Sequence, residues 1–398
     1  MKKVRLLSLA AIGLASVASL TGCKGRTAAD LKVGLILLHK PSESTYDKNF
    51  KDAFDAASEK LGFTALVRDN VPETSDCTVV ANELADMGCD IIIADSFDHE
   101  THLVESAKIH PNVQYCHATG THAAEYKANG INNFHNAFAA IYQGRYLAGV
   151  AAGQRMKDDI AANKYTADQA KVGYIGAKPY AEVKSGYTSF YLGVKSVVPT
   201  ATMDVTFTNE WWDYEGEKAA ANALMDRGAK LISQHADSYG APKACEDRGV
   251  PNVAYNAPTN DQCPETFLVS SKIDWAPYYE YVVNCVVNNE EIKTDYVGDF
   301  NDGMVKLTEF GKNVTATQKE AVALAKAELL NGTRHVFDVN SFTVGGAAPS
   351  EANVAPDKTW TYNYPDGTEF LKGGFYNESV YRSAPSFDIT IDGINLLD

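Results

Sequence analysis

The chain is expected to be an α/β protein of two lobes, each a parallel sheet covered by helices, joined by a hinge around a ligand cleft. Three observations in the 398 residues point there. One plan occurs twice, about 140 residues apart: Lys32-Val33-Gly34-Leu35-Ile36 returns as Lys171-Val172-Gly173-Tyr174-Ile175, Met87-Gly88-Cys89-Asp90-Ile91-Ile92 as Arg227-Gly228-Ala229-Lys230-Leu231-Ile232, and Pro111-Asn112-Val113 as Pro251-Asn252-Val253. Each copy alternates short apolar runs with helical segments, the order that produces parallel strands and covering helices. The length also exceeds what one hydrophobic core usually serves.

In chain order, residues 1–22 read as a secretory signal. Lys2, Lys3 and Arg5 precede an apolar run from Leu6 to Leu20, too short for a stable membrane span. Leu20-Thr21-Gly22-Cys23 has the form of a bacterial lipobox, which makes Cys23 the lipidation site and residues 23–31 a tether. The first lobe is expected over 32–122 with 256–300 and the second over 123–255, with hinge crossings near 120–150 and 256–275. Phe50, Phe54, Ala57 and Leu61 share one face of a helix for which Asp47 is a plausible N-cap. Residues 301–398 are expected to form an extension packing on the lobes. Its helical stretch, Thr315 to Leu330, is followed by a Gly/Pro/Asn/Tyr-rich tail with short alternating runs.

The formal charge of −15 becomes −18 once the three basic residues of the leader are removed. Such a surface repels phosphate backbones, so nucleic acid is excluded as a partner. Six cysteines remain beside Cys23, and they allow 15 full pairings among which sequence does not choose. Cys89 and Cys116 lie in or beside strand-like runs, where cysteine is usually a small buried hydrophobe. No CxxC pair suggests a structural zinc site, and no metal or cofactor is expected. Nor is an enzyme. His99-Glu100-Thr101-His102 spaces its histidines three apart where a zincin helix needs four, and neither a GxSxG elbow nor a GxxxxGK[ST] loop occurs.

Ligands of open parallel sheets bind beyond the carboxyl ends of the strands. The repeat therefore selects the loops 39–47, 95–99 and 117–122 in the first lobe, and 177–182, 209–213, 234–240 and 255–261 in the second. These loops and the runs beside them carry the candidate binding residues Tyr46, Asp47, Phe50, Ser96, Phe97, Trp211, Trp212, Asp237, Asn256 and Trp275. Flat apolar faces next to directional acceptors suit a nucleobase or nucleoside, since a base stacked on an aromatic ring contributes roughly 1–3 kcal/mol. Sugars fit as well. Phe50 and Trp275 are equally readable as core, Asp213 as a helix cap, and only one of the adjacent Trp211 and Trp212 should face the cleft, because neighbours on extended chain point opposite ways.

Gly88-Cys89-Asp90-Ile91-Ile92-Ile93-Ala94-Asp95-Ser96-Phe97 and Asn112 to Gly120 resemble the basic membrane protein family of substrate-binding lipoproteins. So do Arg145 to Gly153, Thr208-Asn209-Glu210-Trp211-Trp212-Asp213 and Gln234-His235-Ala236-Asp237-Ser238. The resemblance runs from about residue 32 to 330. It implies a type I periplasmic-binding fold and a monomer lipid-anchored on the extracytoplasmic face of the cell membrane. It further implies a purine nucleoside or nucleobase as ligand and delivery to the permease of an ABC importer. Two departures matter: Asp47-Lys48-Asn49-Phe50-Lys51 stands where nucleoside-binding members have Asp-x-Ser-Phe-Asn, and Asn256 where they often have aspartate. The second removes an acceptor for ribose and leaves free base and nucleoside both open. A binding protein for a sugar or another small polar solute and a lipoprotein signalling receptor are the alternatives.

Overall fold

The computed structural model describes residues 25–355, 364 and 367–397. The expected leader and the Cys23 attachment point lie outside them. The first lobe begins β1 Lys32–Ile36, α1 Thr45–Leu61, β2 Thr64–Arg68, α2 Ser75–Asp86, β3 Ile91–Ala94, α3 Glu100–Ile109, β4 Gln114–Ala118, α4 Ala123–Ala128 and β5 Phe134–Ala139. The second runs α5 Ile141–Ala161, β6 Lys171–Gly176, α6 Ala181–Lys195, β7 Thr202–Phe207, α7 Tyr214–Asp226, β8 Leu231–Gln234, α8 Gly240–Arg248, β9 Asn252–Tyr255 and β10 Phe267–Ile273. The chain then passes through α9 Ala276–Asn288, β11 Asp295–Gly298, β12 Val305–Leu307 and α10 Ala316–Leu330. It ends with α11 Glu351–Val354, β13 Leu371–Lys372, β14 Phe375–Tyr376 and β15 Ile394–Leu396.

Two sheets result, ordered β11-β5-β4-β3-β1-β2 and β12-β10-β9-β8-β6-β7-β15. Every pairing in the first is parallel, and in the second only β10 with β12 is antiparallel. The repeated Lys-Val-Gly runs are β1 and β6, buried inside their sheets. Alternation sorts their side chains: Val33 and Leu35 join the cluster under α1 and α9, whereas Ile36 joins the cluster under α2 and α3.

The lobe boundaries differ from the sequence reading. β5, which falls in the span 123–255 assigned to the second lobe, pairs with β4 in the first sheet. β10, within 256–300, pairs with β9 in the second. In each case a connection after the third repeated strand returns to the open edge of its own sheet, and the repeat ends before that strand is counted. The chain therefore crosses between lobes at about residues 140, 274 and 299–304. Residues beyond 300 do more than pack on the lobes, because β12 and β15 close the two edges of the second sheet.

The Arg145–Gly153 motif lies on α5, the longest helix among the described residues, which packs closely on α6. A Cβ at Gly149 would sit 2.0 Å from the Phe190 carbonyl oxygen, and one at Gly193 2.1 Å from that of Tyr146, so only hydrogen fits at either. All six described cysteines are buried free thiols, and burial raises those of Cys77 and Cys116 to about 12. No helix among the described residues is long and apolar enough to cross a membrane.

Candidate functional site

The carboxyl ends of β1, β3 and β4 face those of β7 and β8 and the start of α6 across a narrow cavity. In the first lobe, Ser44 is the N-cap of α1, not Asp47: the Asp47 amide donates to Ser44 Oγ at 3.2 Å. The Asp47 carboxylate is then left to fold the preceding loop, accepting from the His39 amide at 2.7 Å, with its second oxygen 3.5 Å from His39 Nδ1. Asp95 accepts from the Leu38 amide at 3.2 Å, and Tyr46 donates its hydroxyl to the Asp95 carbonyl at 2.8 Å. Burial, then the charge of Asp47, pushes the Asp95 carboxyl well above the usual range.

The second-lobe wall is Glu182, Trp211, His235 and Asp237. Glu182 Oε1 lies 3.3 Å from His235 Nε2, and behind them the buried Arg145 guanidinium stands 3.3 Å over the Tyr255 ring and donates to the Gln234 carbonyl at 2.9 Å. Burial lifts Glu182 to about 7 against the pull of Arg145. It also keeps His235 neutral by driving its pKa well below the ordinary imidazole value. Asp237 is pushed well up by burial and by Asp47 facing it. The loops are held from beneath by Glu217, which accepts from the amides of Ser238 at 3.0 Å and Asp213 at 3.2 Å. Asp213 caps α7, accepting from Gly216 N at 2.9 Å.

The lobes meet around the cavity. The Trp212 indole donates to the Glu43 carbonyl at 2.9 Å. Lys178 lies 3.6 Å from both Glu73 and Asp98. The rings of Phe97 and Tyr180 are 5.0 Å apart. Lys178 also sits 5.3 Å above the Trp211 ring, which meets Tyr180 edge-on.

Six of the ten candidate residues line the cavity: Tyr46, Asp47, Ser96, Phe97, Trp211 and Asp237. Four do not. Phe50 and Trp275 are core, fully buried and stacked on each other at 4.4 Å. Trp212 stands at the rim through its bond to Glu43. Asn256, buried and in the left-handed region at φ 61°, follows β9 directly and donates its backbone N–H to the Ser271 carbonyl at 2.8 Å. The lining residues not singled out from sequence include His39, Thr119, Glu182 and His235. All four lie in loops that the repeat had selected, so the available signal was strand-end position, which a preference for aromatic and aspartate side chains passed over.

The family model for PnrA-like ABC transporter substrate-binding proteins matches residues 31–333. A purine-binding protein of Brucella abortus is 31% identical over 348 residues, covering 86% of this chain and 87% of its own. A Haloferax volcanii protein named for glucose binding by an ABC transporter is 30% identical over 268 residues, 67% of this chain and 64% of its own. Among solved structures, an ABC transporter solute-binding protein from Conexibacter woesei has a TM-score of 0.59 at 19% identity, over 77% of this chain and 98% of its own.

Proposed function

The chain belongs to the Bmp family of PnrA-like ABC transporter substrate-binding proteins, and on that premise we propose that its interlobe cavity captures a purine base or purine nucleoside. The observation that carries this reading is the pairing of aromatic faces with carboxylates from both lobes. Tyr46, Phe97 and Trp211 supply flat apolar surface, while Asp47 and Asp237 present acceptors from opposite walls. Purines offer two faces to stack and N–H groups for those acceptors. The 31% identity to a purine-binding protein over most of both chains supports the same ligand class.

Substrate-binding proteins of ABC transporters deliver a small molecule to a permease on the extracytoplasmic side. Here that role would be carried out as a monomer held to the membrane by lipid on Cys23. Sugar binding is the second reading, favoured by the relative named for glucose. The carboxylate-rich walls serve sugar hydroxyls too.

A thermal-shift panel tests the reading. Free ligand at a hundredfold above its Kd stabilises the folded state by about 2.7 kcal/mol. Adenine, guanine, hypoxanthine and their nucleosides should raise the melting temperature, and sugars and amino acids should not. A shift confined to sugars overturns the purine assignment.

A further inference from the structure

We infer that the cavity distinguishes purines by exocyclic substituent, taking amino-bearing bases ahead of those lacking an amino group, with Glu182 as the reading side chain. The inference rests on the purine reading above and adds to it the chemistry of selection.

Glu182 brings a hydrogen-bond acceptor to the cavity wall. Glu182 reaches it from the first turn of α6 and is 7% exposed. One of its oxygens faces His235 Nε2 at 3.3 Å, while the other has no donor among the described residues. Neutral His235 carries one N–H, which this contact assigns to Nε2, so the histidine steadies the carboxylate without neutralising it. Gly186, one turn along α6, leaves room for the imidazole, since a Cβ there would come within 2.9 Å of Nδ1.

An ionised carboxylate accepts and does not donate. An amino group at the position Glu182 faces therefore satisfies it, whereas a keto oxygen or an unprotonated ring nitrogen at that position leaves two sets of lone pairs facing each other in a buried site. Sites that hydrogen-bond a substrate group reject the analogue lacking it far more strongly than apolar pockets reject a missing methylene. The charged and titratable groups around Glu182 are Arg145, His235, Asp237, Tyr46, Tyr174 and Tyr255. With Glu182 at about 7 among them, pH 8 is the condition at which it is ionised.

Isothermal titration at pH 8 with two matched pairs, adenine against hypoxanthine and guanosine against inosine, tests this on the full mature chain. The amino-bearing member of any pair that binds should bind at least tenfold tighter. Glu182→Gln puts an amide donor in the same volume. It should bring the ratio below threefold, with a melting temperature no lower than that of the wild type. Glu182→Asp, which keeps the charge and shortens the reach, should also lower the ratio and serves if the glutamine variant does not fold. Equal or tighter binding of hypoxanthine and inosine by the wild type overturns the inference, as does an unchanged ratio in the folded variants. Binding of a sugar with no purine binding at all fails the purine reading itself, a different pattern from either.

Discussion

Thr45 donates its amide to the Asp237 carbonyl at 2.9 Å, which ties the first turn of α1 in one lobe to the loop that carries a cavity carboxylate in the other. The same loop is held from its own side, because the Asp237 amide donates to the Trp211 carbonyl at 2.9 Å. A ligand between Asp47 and Asp237 would touch two segments joined behind it, and we expect its release to need that join to open. Domain closure of this kind is an equilibrium that ligand shifts only by binding the two states differently.

Lys178 should slow that opening. Its distances to Glu73 and Asp98 are those of a partly exposed ion pair, worth about 0–1 kcal/mol. Lys178→Ala is therefore expected to speed ligand release by up to about fivefold with little change in melting temperature. The difference from wild type should shrink in 1 M salt, where screening reaches within about 3 Å. Stopped-flow displacement at two salt concentrations measures both.

Trp211 and Phe50 should part company. Trp211→Ala removes a stacking face and is expected to cost roughly 1–3 kcal/mol of binding with a modest effect on the unliganded fold. Phe50→Ala opens a hole against Trp275 in the first-lobe core and should cost about 3–5 kcal/mol of stability, leaving affinity in the folded fraction unchanged. Paired calorimetry and denaturant titration separate the two outcomes.

Glu182 should imprint a pH dependence on the empty protein. Burial raises it from 4.5 to about 7, so the folded state holds its proton more tightly than the unfolded chain. Its contribution is fully present below 4.5 and is lost as the pH rises through about 7. Buried His99 and His135, each lowered to about 4, work in the opposite sense below 6.5. The glutamate contribution is therefore read as a difference. The melting temperature of wild type minus that of Glu182→Gln should fall steadily from pH 4.5 to 7.5, and a flat difference contradicts it.

Cys23→Ala should abolish metabolic lipid labelling and move the protein from the membrane fraction to the soluble one. Intact mass of the wild type without added lipid would contradict the anchor.

Much of the fold was legible because local pattern determines it. The doubled Lys-Val-Gly strands, the loops at their carboxyl ends and the helix stripe through Phe50 follow from side-chain periodicity and from an internal repeat, which neighbouring residues encode. Asp213 as a cap and a single cleft-facing tryptophan of the adjacent pair follow from equally local rules. Four things needed the tertiary structure. Which sheet receives β5 and β10 depends on which edge is open, a property of assembled strands. That Ser44 and not Asp47 caps α1 depends on where the chain turns toward His39. That Phe50 and Trp275 stack in the core, while Trp212 reaches Glu43, depends on partners more than 160 residues away in sequence. The site in Glu182 and His235 arises the same way: each side chain is unremarkable in its own segment. Only burial together, over Arg145, raises one, lowers the other and leaves a carboxylate oxygen facing the cavity.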